Sequence, residues 1–452
     1  MKLIDKDLMS MQEVRELVES AKEAQRELAR MDQAQVDRIV KSIADAGVRN
    51  AKRLAQMAQE DTGFGVVSDK VVKNVFASRG VYEHIKDMKT IGEIERDDEK
   101  GLRKIAVPVG VIAGLIPSTN PTSTAFYKSE IAIKSGNAIV FSPHPTALRA
   151  IMETVKVIRQ AIAEAGANEN LVSCISIPTM EATSTLMHHR DIALILATGG
   201  SAMVKAAYSS GTPAIGVGPG NGPAYLEKTC DLPLAVKRIM DSETFDNGTI
   251  CASEQSIICD EDMAEAVQAE MERQGAYFLD EQEREQLGRF ILRANGTMNP
   301  EIVGKSVKTI ASLAHLDKVP ADARVLIAKE TGVGRGHPYS NEKLGPIMAF
   351  YTGKDYIDVC EKVCTILYYE GAGHTFSMHT KDDKMVDYFA KRVPASRIMV
   401  NTPSALGGIG ATTNLQPALT LGCGAVGGSA TSENVGPLQL LNYRYVAYGQ
   451  RE

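Results

Sequence analysis

Four short segments carry residue types that could act together on one substrate. Residues 245–258, FDNGTICASEQSII, place Cys251 after a polar, Gly-containing stretch and before an apolar, strand-like run. Small neighbours, Gly248, Ala252 and Ser253, leave room at the sulfur. A thiol attacks only as thiolate, so a nucleophilic cysteine needs a polar, partly open setting. Taken alone, the segment fits a packed thiol at least as well. Residues 114–124, GLIPSTNPTST, put Asn120 in a loop stiffened by Pro117 and Pro121. A fixed amide can donate to a developing oxyanion, whereas an ordinary Asn serves a turn. Residues 196–204, LATGGSAMV, read as strand, glycine turn, helix. A helix N-terminus behind glycines can receive a phosphate, but the GxGxxG spacing is missing and a plain tight turn is the default. Residues 341–351, NEKLGPIMAFY, set Glu342 before a Gly-Pro turn into a strand, where its carboxylate could accept ribose hydroxyls or simply face solvent. Gly216, Gly218, Gly220 and Gly222 also tempt a phosphate-loop reading. Pro219 removes a donor there and Pro223 would break a helix, which argues against it.

The elements that must position these residues alternate. Residues 11–60 read as helices, with Val14, Leu17, Val18 and Ala21 three and four apart. Residues 105–117, 137–141, 171–177, 191–200 and 212–218 then read as five strands. Helices over 146–165, 180–188 and 201–210 separate several of them. Apolar runs without alternation, interleaved with helices, predict a parallel, doubly wound sheet that binds ligands beyond the carboxyl ends of its strands. A second α/β block follows, with helices over 232–239, 261–273 and 356–369 and strands over 324–328, 345–351 and 397–401. The Gly-rich stretch 407–436 reads as loops. Residues 92–106 read as a charged hairpin and 440–449 as a lone end strand, and both need a pairing partner. Tyr368, Tyr369 and Phe350 read as core.

The chain has 452 residues, 44% of them hydrophobic, enough for two domains. Its net charge of −6 and lack of a basic block speak against a nucleic-acid binder. The N-terminus has no signal-peptide core, and no apolar run approaches the ~20 residues of a membrane span. A cytoplasmic protein is expected. Seven scattered cysteines fit reduced thiols better than a disulfide framework. Cys360 and Cys364, four apart on an expected helix, read as core thiols rather than a metal site.

Together the four segments resemble the aldehyde dehydrogenase superfamily, in its order: Asn loop, Gly turn, cysteine, Glu-Lys-Leu-Gly-Pro. PSTNP, the His144–Pro145 pair, FDNGTICASEQ, EKLGP, GAGHT and TLGCG with SENVGP resemble its coenzyme A-acylating branch, and the likeness covers nearly the whole chain. That branch includes acetaldehyde and propionaldehyde dehydrogenases and the N-terminal half of bifunctional aldehyde–alcohol dehydrogenases. The resemblance implies an α/β fold with two doubly wound domains and a small β oligomerisation flap. It divides the chain into a cofactor domain (1–91 and 107–222), a catalytic domain (223–437) and the flap (92–106 and 438–452). It implies Cys251 as nucleophile, with Asn120 and the Cys251 backbone N–H as oxyanion hole. It places Thr198, Gly199, Gly200 and Ser201 at the pyrophosphate of NAD or NADP and Glu342 at the nicotinamide ribose. Pro117, Ser118, Thr119, Ser142, His144, Pro145, Gly218 and Leu344 complete the expected cofactor set. Thr249, Ile250 and Ser253 are expected at the substrate pocket. Coenzyme A is the expected cosubstrate, a homodimer or homotetramer the expected assembly, and no metal, nucleic acid or membrane is expected. His374 in GAGHT is expected to be packed or hydrogen-bonded, with a place near the site as the alternative.

Two departures matter. Hydrolytic members carry a water-activating Glu where Val217 stands here, 34 residues before Cys251. Valine cannot take a proton, and loss of a general base typically costs ~10²–10⁴-fold in that step. The thioester should then persist until a thiol, partly ionised near pH 7, arrives. Many members also have a Lys where Ser142 stands, which leaves NAD against NADP open. The alternatives are a hydrolytic, coenzyme A-independent enzyme and a non-catalytic assembly subunit. A stand-alone enzyme is expected rather than a trimmed part of a bifunctional one, with no microcompartment-targeting helix. Acetaldehyde, propionaldehyde and sulfoacetaldehyde-like substrates all fit.

Overall fold

Strands whose residues are apolar on both sides must be covered on both faces, and the fold follows from that need. The structure is a computed structural model describing residues 4–293 and 296–449; three residues of the expected flap, 450–452, lie outside them. Among the described residues, fifteen strands form three sheets. β1 (Gly92–Asp97) and β2 (Leu102–Pro108) make the hairpin. β3 (Val111–Ile116), β4 (Ala138–Pro143), β5 (Val172–Cys174), β6 (Ile192–Thr198) and β7 (Ala214–Val217) form a parallel sheet in the order 5-4-3-6-7. β8 (Gly222–Leu226), β9 (Glu254–Asp260), β10 (Ala276–Phe278), β11 (Val325–Lys329), β12 (Ile347–Gly353), β13 (Gly373–His379) and β14 (Ala395–Val400) form a second, in the order 10-11-12-9-8-13-14, again parallel throughout. β15 (Leu441–Ala447) pairs antiparallel with β2, so hairpin and end strand are each other's partner. The outer edges of β1 and β15 stay open.

Several readings need correction. Residues 105–117 are two strands in different sheets, not one. Pro108 lacks an N–H for the ladder and Gly110 turns the chain at φ 133°. The N-terminal stretch is helical as expected, in two helices, Lys6–Leu28 and Gln33–Thr62, the second started by an Asp32–Gln35 capping box. A short helix, Ser404–Gly408, begins before the Gly-rich loops and runs into them. Tyr368 and Tyr369 are not core: they are 65% and 44% exposed at the end of helix Tyr356–Tyr369, while Phe350 is buried.

Helix Pro121–Lys134 is buried along its whole length, packed against helices Gln33–Thr62 and Leu148–Glu164 and the five-stranded sheet. It shows no amphipathic period because it has no solvent face. Its Lys128 Nζ donates to the carbonyls of Leu115 (2.6 Å) and Leu196 (2.9 Å), tying β3 to β6. The core beneath this sheet also takes in Ile250 and Ala252, the neighbours of Cys251. The Cys251 segment is therefore anchored in a core built mostly by the first part of the chain.

Candidate active site

In the order 5-4-3-6-7, the chain runs outward in opposite directions from β3 and β6. The crevice at their carboxyl ends is the topological switch point. Seven of the expected cofactor residues line one cleft there: Pro117, Ser142, His144, Pro145, Thr198, Gly199 and Gly200. Pro178, Thr179, Met180, Thr183 and Met203 also line it, and none of them is an expected site residue. Thr179 caps helix Met180–Met187, the only local signal it carries. Ser142 is buried and its hydroxyl bonds Thr183 (2.8 Å). His144 is exposed and bonds Thr146, structuring its own loop. Gly200 caps helix Ser201–Ser209, and an added Cβ there would meet nothing within 4 Å. Open space, free helix N–H groups and apolar walls fit the adenosine diphosphate end of a dinucleotide.

Cys251 lies elsewhere in strand geometry: at the amino end of β9, half-buried. The turn before it needs left-handed backbone at Asp246 (φ 50°), Asn247 (φ 52°) and Gly248 (φ 71°). Asp, Asn and Gly are the types that tolerate this, which is what FDNG encodes. Gly248 also lets the turn touch Gly345 of the Glu-Lys-Leu-Gly-Pro segment, where a Cβ would come within 3.2 Å of backbone. Gly220 packs on Cys251 itself: a Cβ would lie 1.8 Å from the Cys251 carbonyl oxygen and 3.2 Å from His374 Cε1. Its N–H donates to Glu342 Oε1 (2.8 Å), and the Glu342 N–H donates to Glu370 (2.6 Å). Cys251, Gly220, Glu342 and His374 thus form one cluster. Leu344 holds a left-handed φ of 49° in the same loop, and Gly218 lies on the Gly220 loop, half-buried.

Asn120 enters from the other sheet. It sits at the N-terminal end of helix Pro121–Lys134, and its Nδ2 donates to the Thr249 carbonyl (3.1 Å), two residues before the sulfur. Ser118 and Thr119 accompany it in the half-buried loop after β3, and Thr119 Oγ1 accepts from the same amide nitrogen (3.2 Å). Ser201 is exposed beyond the glycine turn. Thr249, Ile250 and Ser253 are all buried. The Thr249 hydroxyl is occupied by Asp246 and Lys73, and Ile250 packs in the core.

The electrostatics differ from a preformed thiolate site. Burial, then Glu342, pushes the Cys251 thiol up to about 12, with Arg397 pulling the other way. Burial, then Glu370, pushes Glu342 up to about 8. Burial, then Arg397, holds His374 well below the usual imidazole range, and its Nε2 has no partner among the described residues. His374 is packed, as expected, and is also beside the site. Sequence reasoning missed Lys70, Lys73, Asp246 and Arg397, all buried and all near Cys251 or Asn120. Buried charges in a polar-looking segment were the only hint.

A profile of the aldehyde dehydrogenase family matches residues 3–308. The chain belongs to the aldehyde dehydrogenase family. Bifunctional aldehyde-alcohol dehydrogenase AdhE of Escherichia coli K12 is 46% identical over 440 residues, covering 96% of this chain and 49% of that protein. The chain spans about half the length of the first curated relatives it matches. An acetylating aldehyde dehydrogenase from Geobacillus thermoglucosidasius superposes with a TM-score of 0.97 at 50% identity, covering 100% of this chain and 99% of that one. A propionaldehyde dehydrogenase of Rhodopseudomonas palustris, solved with bound coenzyme A and an acylated cysteine, superposes at 0.87 with 28% identity, over 96% and 97% of the two chains. Within the family the chain falls in the acylating branch. The expected α/β fold, with two parallel sheets and a small antiparallel one, is the fold of these structures.

Proposed function

We propose that this chain catalyses reversible, coenzyme A-acylating oxidation of a short-chain aldehyde. The carrying observation is the pairing of Cys251 and Asn120 with an aliphatic Val217. The cysteine sits beside an amide donor, and the position of the hydrolytic base is a valine, 3% exposed at the end of β7. Cys251 adds to the aldehyde carbonyl as thiolate. Asn120 Nδ2, once it exchanges its Thr249 or Thr119 partner for the substrate, and the Cys251 N–H hold the oxygen that becomes anionic. NAD or NADP, bound along the switch-point cleft, supplies the hydride acceptor. Collapse of the oxyanion leaves a thioester on Cys251. The coenzyme A thiolate attacks its carbonyl, and the Cys251 sulfur leaves. His374, neutral and with one ring nitrogen free, is placed to take the incoming thiol's proton.

Thr198, Gly199, Gly200 and Ser201 fit the pyrophosphate, and Glu342 a ribose hydroxyl once it turns from Gly220. Pro117, Ser118, Thr119, Ser142, His144, Pro145, Gly218 and Leu344 shape the rest of the cofactor path, and Thr249, Ile250 and Ser253 back the acyl pocket. The three separate sheets support a division into cofactor domain, catalytic domain and flap. The open edges of β1 and β15 support a homodimer or homotetramer joined through the flap. A cytoplasmic location is part of the proposal; among the described residues no helix is long and apolar enough to cross a membrane.

The test is cofactor reduction by acetaldehyde, propionaldehyde and sulfoacetaldehyde with and without coenzyme A. Turnover that needs coenzyme A and yields acyl-CoA supports the proposal. Equal rates without it would establish the hydrolytic alternative.

A further inference from the structure

Beneath Asn120 lies a buried ion cluster with no place in the reaction described above. Lys73, on helix Val67–Val75, is 2% exposed. Its ammonium donates to Asn120 Oδ1 (2.7 Å), Asp246 Oδ2 (2.5 Å) and Thr249 Oγ1 (2.8 Å). Lys70 donates to the same Asp246 oxygen (3.0 Å) and to the Thr119 carbonyl (3.1 Å). The other Asp246 oxygen accepts the Val66 N–H (2.7 Å), and Asp69 receives the Asp246 N–H (2.8 Å). Gly65 leaves room for that carboxylate: a Cβ there would lie 1.9 Å from its oxygen. One helix turn, the Asn120 loop and the turn before Cys251 are thereby locked together.

An ammonium has three donors and no acceptor, so it can face only the oxygen end of an amide. A free asparagine side chain presents either end at nearly equal energy. An oxyanion hole needs only the N–H end. We infer that Lys73 is a positioning residue, which fixes the rotamer of Asn120 so that its amide nitrogen, never its oxygen, faces the reacting carbonyl. Asp246 in turn holds Lys73. Burial, partly offset by Asp246, brings Lys73 down to about 8. Burial pushes Asp246 up, but Lys73 and Lys70 outweigh it and keep the carboxyl below its ordinary range.

The inference rests on Asn120 as the oxyanion donor, and a double-mutant cycle separates the two. Lys73→Met and Asn120→Ala are made singly and together and assayed for kcat and aldehyde KM, with Tm alongside. Asn120→Ala is expected to lower kcat by ~10²–10³-fold, the usual effect of removing one such donor. Lys73→Met is expected to lower kcat by roughly 10–10²-fold with aldehyde KM nearly unchanged. In the Asn120→Ala background it is expected to lower kcat by no more than about threefold, because it acts only through that amide. An equal loss from Lys73→Met in both backgrounds would overturn the inference and leave Lys73 a fold residue. An Asn120→Ala enzyme with full kcat would overturn the oxyanion reading itself, and the inference with it. Should Lys73→Met not fold, the same cycle with Lys73→Gln decides. Its amide can reach Asn120 from either end, so it too must lose kcat only where Asn120 is present.

Discussion

The two parallel sheets present opposite ends to one site. The five-stranded sheet offers carboxyl ends: the loops after β3, β4 and β6 build the cleft assigned to the cofactor. The seven-stranded sheet offers amino ends: the loops before β8, β9 and β12 and the first residues of β13 bring Gly220, Cys251, Glu342 and His374 together. Loops at the carboxyl ends lead into helix N-termini, whose free N–H groups suit a phosphate. Loops at the amino ends lead into strands that are hydrogen-bonded on both sides, which suits a group that must not move. The glycines show the same division. Gly200 keeps open space beside the cleft, while Gly220 allows backbone to touch backbone under the nucleophile. In the proposed reaction one sheet receives a diffusible ligand and the other holds the reacting atom.

That contrast can be broken by experiment. Cys251→Ala should abolish turnover, by ~10⁴-fold or more, since no other group can form the thioester. Intact-protein mass spectrometry with acyl-CoA should then show no adduct, and an adduct retained elsewhere would move the nucleophile. Gly220→Ala forces backbone apart and should lower kcat ~10²-fold, because a displacement of about 1 Å at the reacting group costs that much. Its Tm should also fall, read by thermal melting. Gly200→Ala should behave in the opposite way: Tm unchanged, kcat nearly unchanged, and cofactor KM raised roughly tenfold by crowding at the phosphate. A kcat loss there with unchanged KM would erase the distinction between the two ends. The smallest effect concerns charge. Thiolate fraction grows with pH throughout the range below a raised thiol pKa, so iodoacetamide should label cofactor-free Cys251 faster at pH 9 than at pH 7. Glu342 favours the protonated thiol, and removing its charge should lower the thiol pKa. Glu342→Gln should therefore speed labelling at pH 8 by about threefold, whereas a slower rate would show that Glu342 lies too far away to act.

Legibility in the sequence followed local encoding. The strands of the five-stranded sheet read clearly because residues buried on both faces leave continuous apolar runs. Helix Pro121–Lys134 did not read, since a helix buried on every side has no period to detect. The Asp246–Gly248 turn is written in its residue types, and so is the Gly199–Gly200 turn. The Thr179–Thr183 wall of the cleft has only a helix cap to mark it.

By itself the sequence determined the family, the cysteine proposed as nucleophile, the valine proposed to replace a water-activating carboxylate, and the kinds of element that carry them. Each is a matter of residue type at a fixed spacing along the chain. Only the tertiary structure decided what surrounds Cys251. It raised the thiol by burial beside Glu342, set His374 next to it, and placed Lys73 under Asn120. Those effects depend on distances between segments 47 to 176 residues apart in the chain, such as Lys73 with Asn120 and Lys73 with Thr249. Hydrogen bonds and charge act through space, and only folding brings such groups within reach of each other.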